Sequence, residues 1–458
     1  MFKRVKVFFA AALTVAVVFA GCGSTGSSSA SSPSSASPEN PSSSSQPSSA
    51  GEKLKISFWH SMSGNNQTVL EDIVGGFNAS QDQYEVVAEN QGSYDESTGK
   101  FFNMANGDGS AHIIQIGEQN LQAMIDSGMI ASMTELIEEY GYDESALLEQ
   151  VVNFYTVGDT LYTMPFNCSS PVVYYNADVF KAAGYEAFPD TFEGIAEAAA
   201  KVKETNADIT PVGMFAYGYA LDQMVTNMGG FTINNANGRS ARATEVAYQE
   251  QITGIFNWVA GLRDSGYMMN FGSDGTNAVS SFTQGEIGLF ISSSASCRNV
   301  IDSADFEVGV AKLPVPEGTE AQGVYAGGGA LCVAAGLDDN VRAGIMAFMT
   351  YATSPEVQAK WAAGTGYFPI CSGAYETASM KSAYEEYPQL KVACDQLLNS
   401  KVNEITAGPL LSQLPQLRSD LASAEEAVFG GGDVKAAIDS AVSSTNAAIE
   451  NANLGTAE

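Results

Sequence analysis

The feature that most constrains the fold is an alternation of strand and helix patterns early in the chain. Residues 54–58 alternate apolar and polar side chains, as a half-buried strand does, and 66–78 place apolar residues at helical spacing. Strand patterns return at 84–89 and 112–116. Strands that alternate with helices predict a mostly parallel α/β sheet.

Polar side chains follow three of these predicted strands directly. They are His60, Tyr94 and Glu118, and a capping box of Ser93 and Glu96 marks the helix that begins near Tyr94. Ligands of such sheets bind beyond the carboxyl ends of the strands. We therefore expect these side chains to gather along one edge, although His60 is more typical of a structural residue.

The later part of the chain repeats the alternation. Strands are predicted at 171–175, 287–291, 306–311 and 331–334, with helices at 177–183, 190–203, 244–264 and from 340 onward. Strand patterns that return so late predict two α/β lobes, with the chain crossing between them more than once.

Residues 1–21 have the pattern of a secretory signal peptide. Three basic residues, Lys3, Arg4 and Lys6, precede an apolar run over 7–19 that is short for a membrane span. The mature protein is therefore expected outside the cytoplasm.

Cys22 follows Phe19, Ala20 and Gly21, a sequence that resembles a bacterial lipobox. Lipoboxes usually carry Leu where Phe19 stands, so a plain secretory signal is the alternative. The segment 22–51 is dominated by Ser, Ala, Gly and Pro and has too little apolar surface to fold. We expect a lipidated Cys22 and a flexible Ser-rich linker that anchor the body to the membrane.

Charge and cysteine content exclude several classes of protein. With 21 basic and 52 acidic residues the net charge is −31, which makes nucleic acid a poor partner because phosphate binding needs clustered Lys and Arg. Five cysteines besides Cys22 and no C-x-x-C predict buried free thiols. Two histidines in the whole chain argue against His-rich metal sites, and we expect no metal and no cofactor.

Several separated stretches resemble the family 1 extracellular solute-binding proteins of ABC importers, most like the glycerol-3-phosphate-binding proteins. The two most specific are PFN-x-S-x-P-V-x-YYN at 165–176 and TGY-x-PI at 365–370. Further matching stretches are FWHSM at 58–62, QGSY at 91–94, SSS at 292–294, GG at 327–328 and LPQLR at 414–418.

This resemblance implies a two-lobed α/β fold of the periplasmic-binding-protein type (type II), with a hinge and an interlobe ligand cleft. The expected lobes are 52–167 plus 292–326, and 168–291 plus 327–458, with hinge segments near 166–169, 290–293 and 326–329. The implied partners are a small-molecule solute and an ABC permease, and we expect a monomer without enzyme activity.

The resemblance also implies ligand contacts at seven positions, listed here by their residues in this chain: Tyr94, Glu118, Ser169, Ser293, Gly328, Tyr367 and Arg418. The family places tryptophans in the segment that here reads FAYGY, so Tyr217 and Tyr219 become secondary candidates. An arginine fork, hydroxyls and glycine N–H groups are suitable donors for a phosphate. Glu118 could accept hydrogen bonds from glycerol hydroxyls.

Two alternatives to a glycerol phosphate receptor remain open. A sugar or oligosaccharide receptor would use aromatic platforms, for which Trp59, Tyr217, Tyr219, Trp258 and Trp361 are available. A surface enzyme such as a metal-assisted phosphodiesterase could use the abundant acidic residues, but no clustered D-x-D or H-x-H motif follows the predicted strands.

Overall fold

The computed structural model describes residues 52–104 and 111–455, so the expected signal peptide, Cys22 and the linker lie outside the described residues. No helix in the described part of the chain is long and apolar enough to cross a membrane.

Over these residues the strands are β1 (Leu54–His60), β2 (Tyr84–Asn90), β3 (Ile113–Gly117), β4 (Thr156–Val157), β5 (Thr160–Leu161), β6 (Met164–Ser169), β7 (Pro171–Asn176), β8 (Thr210–Met214), β9 (Met268–Asn270), β10 (Ile287–Ser293), β11 (Val308–Ala311) and β12 (Gly327–Val333). The helices are α1 (Gly64–Ser80), α2 (Tyr94–Asn103), α3 (Leu121–Ser127), α4 (Met133–Tyr140), α5 (Glu149–Tyr155), α6 (Ala177–Ala182), α7 (Phe192–Thr205), α8 (Gly218–Asn227), α9 (Asn234–Asn237), α10 (Gln249–Asp264), α11 (Gly275–Thr283), α12 (Cys297–Ser303), α13 (Asp339–Ala352), α14 (Pro355–Thr365), α15 (Ala378–Glu386), α16 (Pro388–Leu398), α17 (Leu414–Phe429) and α18 (Val434–Gly455). Short 3-10 helices cover Glu118–Asn120, Glu144–Ala146, Ser294–Ser296 and Ser372–Glu376.

The first sheet has the strand order β2-β1-β3-β12-β6. β1 runs parallel to β2 and β3, as the alternation predicts, whereas β12 runs antiparallel to β3 and β6. Phe58 of β1 packs against Phe348 of α13, and Phe77 of α1 meets the same ring, with centroids 5.8 and 5.3 Å apart. These contacts bury the apolar face of the sheet under α1 and α13.

The second sheet has the order β11-β7-β10-β8-β9. β7 is antiparallel to β10 and β11, while β8 is parallel to β10 and β9. Tyr174 of β7 stacks on Phe290 of β10 with centroids 5.1 Å apart, and Phe192 of α7 stacks on Trp258 of α10 at 4.6 Å. Two mixed sheets, each covered by helices, form the two lobes that the resemblance implies.

The chain passes between the sheets at two places in the described strands. Ser170 separates β6 of the first sheet from β7 of the second, and residues 312–326 lead from β11 back to β12. The predicted hinge segments at 166–169 and 326–329 lie next to these crossings. The third, 290–293, lies in β10, and the chain continues into β11 of the same sheet.

Two strands are on the opposite lobe from the one predicted. β11 lies within 292–326, assigned above to the first lobe, yet it pairs with β7 of the second. β12 begins the segment assigned to the second lobe from residue 327, yet it fills the gap between β3 and β6 of the first. The assignment is wrong for both strands. β11 supplies hydrogen-bond partners to the backbone of β7, and β12 supplies them to β3 and β6.

The C-terminal helices connect the two lobes. α17 packs against α8 and α18 of the second lobe and also contacts the 3-10 helix Glu118–Asn120 of the first. Pro415 lies in the first turn of α17, where its missing N–H and fixed φ suit the start of a helix. The N-terminal turn of α17 is therefore held at the junction of the lobes.

The five cysteines of the described chain, Cys168, Cys297, Cys332, Cys371 and Cys394, are buried and free. The prediction of buried free thiols is confirmed. Burial raises the pKa of Cys168 to about 12, which keeps this thiol protonated at neutral pH.

Candidate ligand-binding cleft

A cavity of about 550 Å³ lies between the two lobes. Its lining includes every ligand contact and secondary contact expected from the sequence: Tyr94, Glu118, Ser169, Tyr217, Tyr219, Ser293, Gly328, Tyr367 and Arg418. These residues span more than 300 positions of the chain, from 94 to 418. The structure thus brings the predicted set together, while contact with a ligand stays a prediction.

The first lobe supplies residues at the ends of its strands. Glu118 follows β3 directly, Ser169 ends β6, and Gly328 lies at the start of the antiparallel β12, so all three are at one edge of the sheet. Tyr94 is the first residue of α2, whose predicted capping box is present with Ser93 as the N-cap. The edge therefore concentrates polar groups, as expected for such sheets.

The second lobe supplies Ser293 at the end of β10, the tyrosines near the start of α8, and Arg418 from the first turns of α17. Ser293 therefore comes from the opposite lobe to the one expected, and so do Ser169, Gly328 and Tyr367, whose neighbour Phe368 pairs with Cys168 of β6. The change follows from the placement of β10 in the second sheet and of β6 and β12 in the first.

Gly328 cannot be replaced by another residue without strain. Its φ is +91°, and a Cβ atom there would lie 2.2 Å from the carbonyl oxygen of Asn167. The left-handed conformation and the close approach of β6 both require glycine, so the glycine pair at the start of β12 has a structural reason.

A buried chain of amides positions the Tyr94 hydroxyl. Asn167 Nδ2 donates to Tyr94 Oη at 2.7 Å, Gln115 Nε2 donates to Asn167 Oδ1 at 2.8 Å, and the Ser61 N–H donates to Gln115 Oε1 at 2.9 Å. Gln115 and Asn167 are both fully buried. Because these amide side chains are fixed by their neighbours, the phenol of Tyr94 is held in one orientation.

Arg418 is the centre of the cleft floor. Its Nε donates to Asp222 Oδ2 at 2.8 Å, its NH1 lies 2.7 Å from Glu118 Oε1 and donates to Gln119 at 3.1 Å, and its NH2 donates to the Tyr325 hydroxyl at 2.9 Å. Glu118 and Gln119 belong to the first lobe and the arginine to the second. The guanidinium therefore joins the lobes through a buried ion pair.

The approach of α8 to α17 explains this arrangement. A Cβ atom on Gly218 would lie 2.0 Å from the carbonyl oxygen of Arg418, so the two helices touch backbone to backbone at this glycine. Asp222 lies one turn further along α8 and is fully buried beneath the guanidinium. Sequence reasoning missed Asp222, because every neighbour in the helix from Ala220 to Asn227 is also buried and no periodic pattern separates it.

Burial and the ion pairs have opposite effects on these charges. Burial raises the pKa values of Glu118 and Asp222, and Arg418 opposes the rise in both. Burial alone would lower the pKa of Arg418, but Asp222, Tyr325 and Glu118 raise it well above its ordinary value. The arginine is thus charged, and its two carboxylates depend on it for compensation.

The tyrosines near the start of α8 lie along one wall. The Tyr219 hydroxyl donates to the Ser169 carbonyl at 3.0 Å, and the Arg418 guanidinium lies 4.9 Å from the Tyr219 ring centroid. The Tyr217 N–H donates to Glu425 Oε2 at 2.9 Å. None of the three tryptophans lines the cleft, since Trp59, Trp258 and Trp361 pack elsewhere, so its aromatic surface consists of tyrosines.

Metal chemistry finds no support in the described residues. No group of three or more His, Cys, Asp or Glu side chains within them could hold a metal ion. His60 is buried and its Nδ1 accepts from the Met62 N–H at 3.2 Å, a structural arrangement.

A two-lobed α/β fold with a polar cleft between the lobes is the architecture of a solute-binding protein. Residues 72–392 match the sequence model of the family described as bacterial extracellular solute-binding protein, and the chain belongs to that family. Membership places the protein outside the cytoplasm and implies a small-molecule solute and an ABC permease as partners.

Curated relatives and solved structures agree with this assignment. The sn-glycerol-3-phosphate-binding periplasmic protein UgpB of Brucella abortus is 30% identical over 413 residues, which cover 88% of this chain and 94% of that protein. UgpB of Rhizobium meliloti is 30% identical over 86% of this chain and 94% of its own length. These relatives are solute-binding proteins, not enzymes.

Among solved structures, UgpB of Mycobacterium tuberculosis in complex with glycerophosphocholine has a TM-score of 0.74 at 19% identity, covering 87% of this chain and 99% of its own. The GacH receptor of Streptomyces glaucescens, solved unliganded and with acarbose, has a TM-score of 0.71 at 20% identity, covering 87% and 98%. At these identities the likeness shows the fold.

Proposed function

We propose that this protein captures glycerol 3-phosphate or a glycerophosphodiester in the interlobe cleft and delivers it to an ABC permease. The observation that carries the proposal is the cleft itself, in which an arginine, tyrosine and serine side chains and a glycine, drawn from both lobes, line one cavity of about 550 Å³. The names of the relatives that are 30% identical support the same ligand class.

The residues proposed to contact the ligand are Tyr94, Glu118, Ser169, Ser293, Gly328, Tyr367 and Arg418, with Tyr217 and Tyr219 as secondary contacts. Hydroxyl and N–H donors suit phosphate oxygens, while a carboxylate such as Glu118 can accept from glycerol hydroxyls. Because the donors come from both lobes, binding energy would favour closure of the lobes about the crossings at Ser170 and 312–326.

A sugar receptor is the second candidate, for a specific reason. The charge of Arg418 is already met by two carboxylates, and the rings of Tyr217 and Tyr219 offer flat apolar surface of the kind that sugar rings pack on. Several structural neighbours are named as receptors for carbohydrates. The identity of the ligand class therefore needs a direct comparison.

Calorimetric titration of the folded body with glycerol 3-phosphate, a glycerophosphodiester and a set of sugars makes this comparison. We expect a phosphate compound to bind with a dissociation constant at least tenfold below that of any sugar, on the order of 1.4 kcal/mol or more. Tight binding of a sugar with no response to either phosphate would move the assignment to the second candidate.

We further propose that the protein is a receptor without catalytic activity. No base in the cleft is oriented by a third group toward a nucleophile, because Glu118, the buried carboxylate of the lining, is engaged by Arg418. Phosphorus NMR of the titrated samples should show the ligand intact after prolonged incubation, and sustained product formation would contradict the receptor assignment.

We also propose that the protein is a monomer. A lipid on Cys22 is proposed to anchor it, because small residues precede Cys22 and a Ser-rich segment follows it. Cys22→Ser should abolish acylation, so that the membrane-bound fraction falls and the mass of the acyl group disappears from the N-terminal peptide. A variant that is processed and retained like the wild type would refute the anchor.

A further inference from the structure

Asp222 is a buried carboxylate whose two oxygens are both engaged beneath the cleft floor. Oδ2 accepts from Arg418 Nε at 2.8 Å, and Oδ1 accepts from the Tyr325 hydroxyl at 2.7 Å. The same hydroxyl accepts from Arg418 NH2 at 2.9 Å. The three side chains form a closed ring of charge-assisted hydrogen bonds that fixes the plane of the guanidinium.

The ring limits what the arginine can offer to a ligand. Of the five N–H groups of a guanidinium, Nε serves Asp222, one NH2 hydrogen serves Tyr325, and the NH1 group faces Gln119 and Glu118. One NH2 hydrogen has no partner among the described residues. A fork on two phosphate oxygens, expected from the sequence, would therefore require Glu118 or Gln119 to withdraw.

The charges around the cleft also disfavour a phosphate that carries two negative charges. Arg418 carries one positive charge, and Asp222 and Glu118 carry two negative charges in direct contact with it. Asp95 is the remaining charged residue of the cleft lining, which includes no lysine and no second arginine among the described residues. A second negative charge on a bound ligand is thus opposed by the site, and more strongly than in water because the groups are buried.

We propose that Asp222 is a positioning residue that sets the charge preference of the cleft, so that a phosphodiester with one negative charge binds in preference to a phosphate monoester with two. This inference rests on the proposed function and narrows its ligand class. Asp222 does not line the cavity and acts through Arg418, both by holding the guanidinium and by cancelling its charge.

The test compares wild type with Asp222→Asn, an isosteric change that removes the charge. Both are titrated at a pH of about 8, where a phosphate monoester is a dianion, with glycerol 3-phosphate and with glycerophosphoglycerol as a monoanionic diester. Wild type is expected to bind the diester more tightly. In Asp222→Asn the ratio of the two affinities should shift toward the monoester by about tenfold or more, because one negative charge near the phosphate is gone.

A merely structural aspartate would give a different result. Loss of Arg418 orientation alone would weaken both ligands by the same factor, and an unchanged ratio in folded Asp222→Asn would overturn the inference. Asp208→Asn is the matched control, since this carboxylate is exposed and does not line the cleft, so the ratio should barely move.

Glu118→Gln provides a second variant in case Asp222→Asn does not fold. It removes the other carboxylate at the same guanidinium and should shift the ratio in the same direction, and a shift toward the diester would contradict the charge account. Wild type that binds neither phosphate compound would instead defeat the proposed function. If the wild type binds both compounds and neither variant changes the ratio of the two affinities, the inference fails and the proposed function stands.

Discussion

Arg418→Ala is expected to lower the free energy of unfolding by about 3–5 kcal/mol and to weaken binding of a phosphate ligand by about 2–5 kcal/mol. The arginine is 9% exposed and contacts two carboxylates that are 3% and 0% exposed, so its removal leaves two buried negative charges without compensation. Denaturant titration gives the first quantity and calorimetry the second. Arg418→Lys should recover part of both, because an ammonium keeps the charge but not the planar donor geometry.

Arg342→Ala is the matched control for this change. Arg342 also pairs with two carboxylates, Glu139 and Asp339, but on the surface, so its loss should cost no more than about 1 kcal/mol and leave binding intact. Equal unfolding midpoints for Arg418→Ala and wild type would show that the buried ion pairs do not stabilise the fold.

Glu425→Gln is expected to remove a large pH-dependent contribution to the stability of the second lobe. Glu425 is buried behind Tyr217, and its burial raises its pKa to about 8, with the hydrogen bond from the Tyr217 N–H opposing the rise. A group whose pKa is raised on folding contributes its full stability below the unfolded-state pKa and loses it as the pH rises. The protein therefore loses roughly 4–5 kcal/mol at this residue between pH 4.5 and pH 8.

Glutamine keeps the acceptor for Tyr217 but does not titrate. The difference in unfolding free energy between Glu425→Gln and wild type should therefore move in favour of the variant as the pH rises from 4.5 to 8. The neighbouring Glu426 is exposed, and Glu426→Gln should show no comparable trend. A pH-independent difference for Glu425→Gln would mean that folding does not raise the pKa of Glu425.

Much of the fold follows from local patterns. The period-two run at β1, the helical face of α1 and the capping box at Ser93 are each decided by neighbouring residues, so sequence alone places them. The strands β6 and β8 were not predicted, because Pro165 and Pro211 interrupt patterns that would otherwise indicate strands.

The pairing of strands and side chains that are distant in the sequence could not be derived from local patterns. β11 and β12 are short apolar strands, and which sheet each joins depends on the edge left open by strands more than 100 residues earlier. Asp222 and Tyr325 meet Arg418 across 196 and 93 positions of the chain, and no local pattern marks either as a partner. The ligand-lining residues were found through the family resemblance, whereas the charge balance behind them required the structure.

A crystal structure of the protein with a bound glycerophosphodiester would test the interlobe binding site most directly. We expect the phosphate in the interlobe cleft, with oxygens within about 3.2 Å of donors from both lobes, including Arg418 or Ser293 on one side and Tyr94, Tyr367 or the Gly328 N–H on the other. A phosphate seated outside this cleft, or held by residues of one lobe alone, would contradict this expectation.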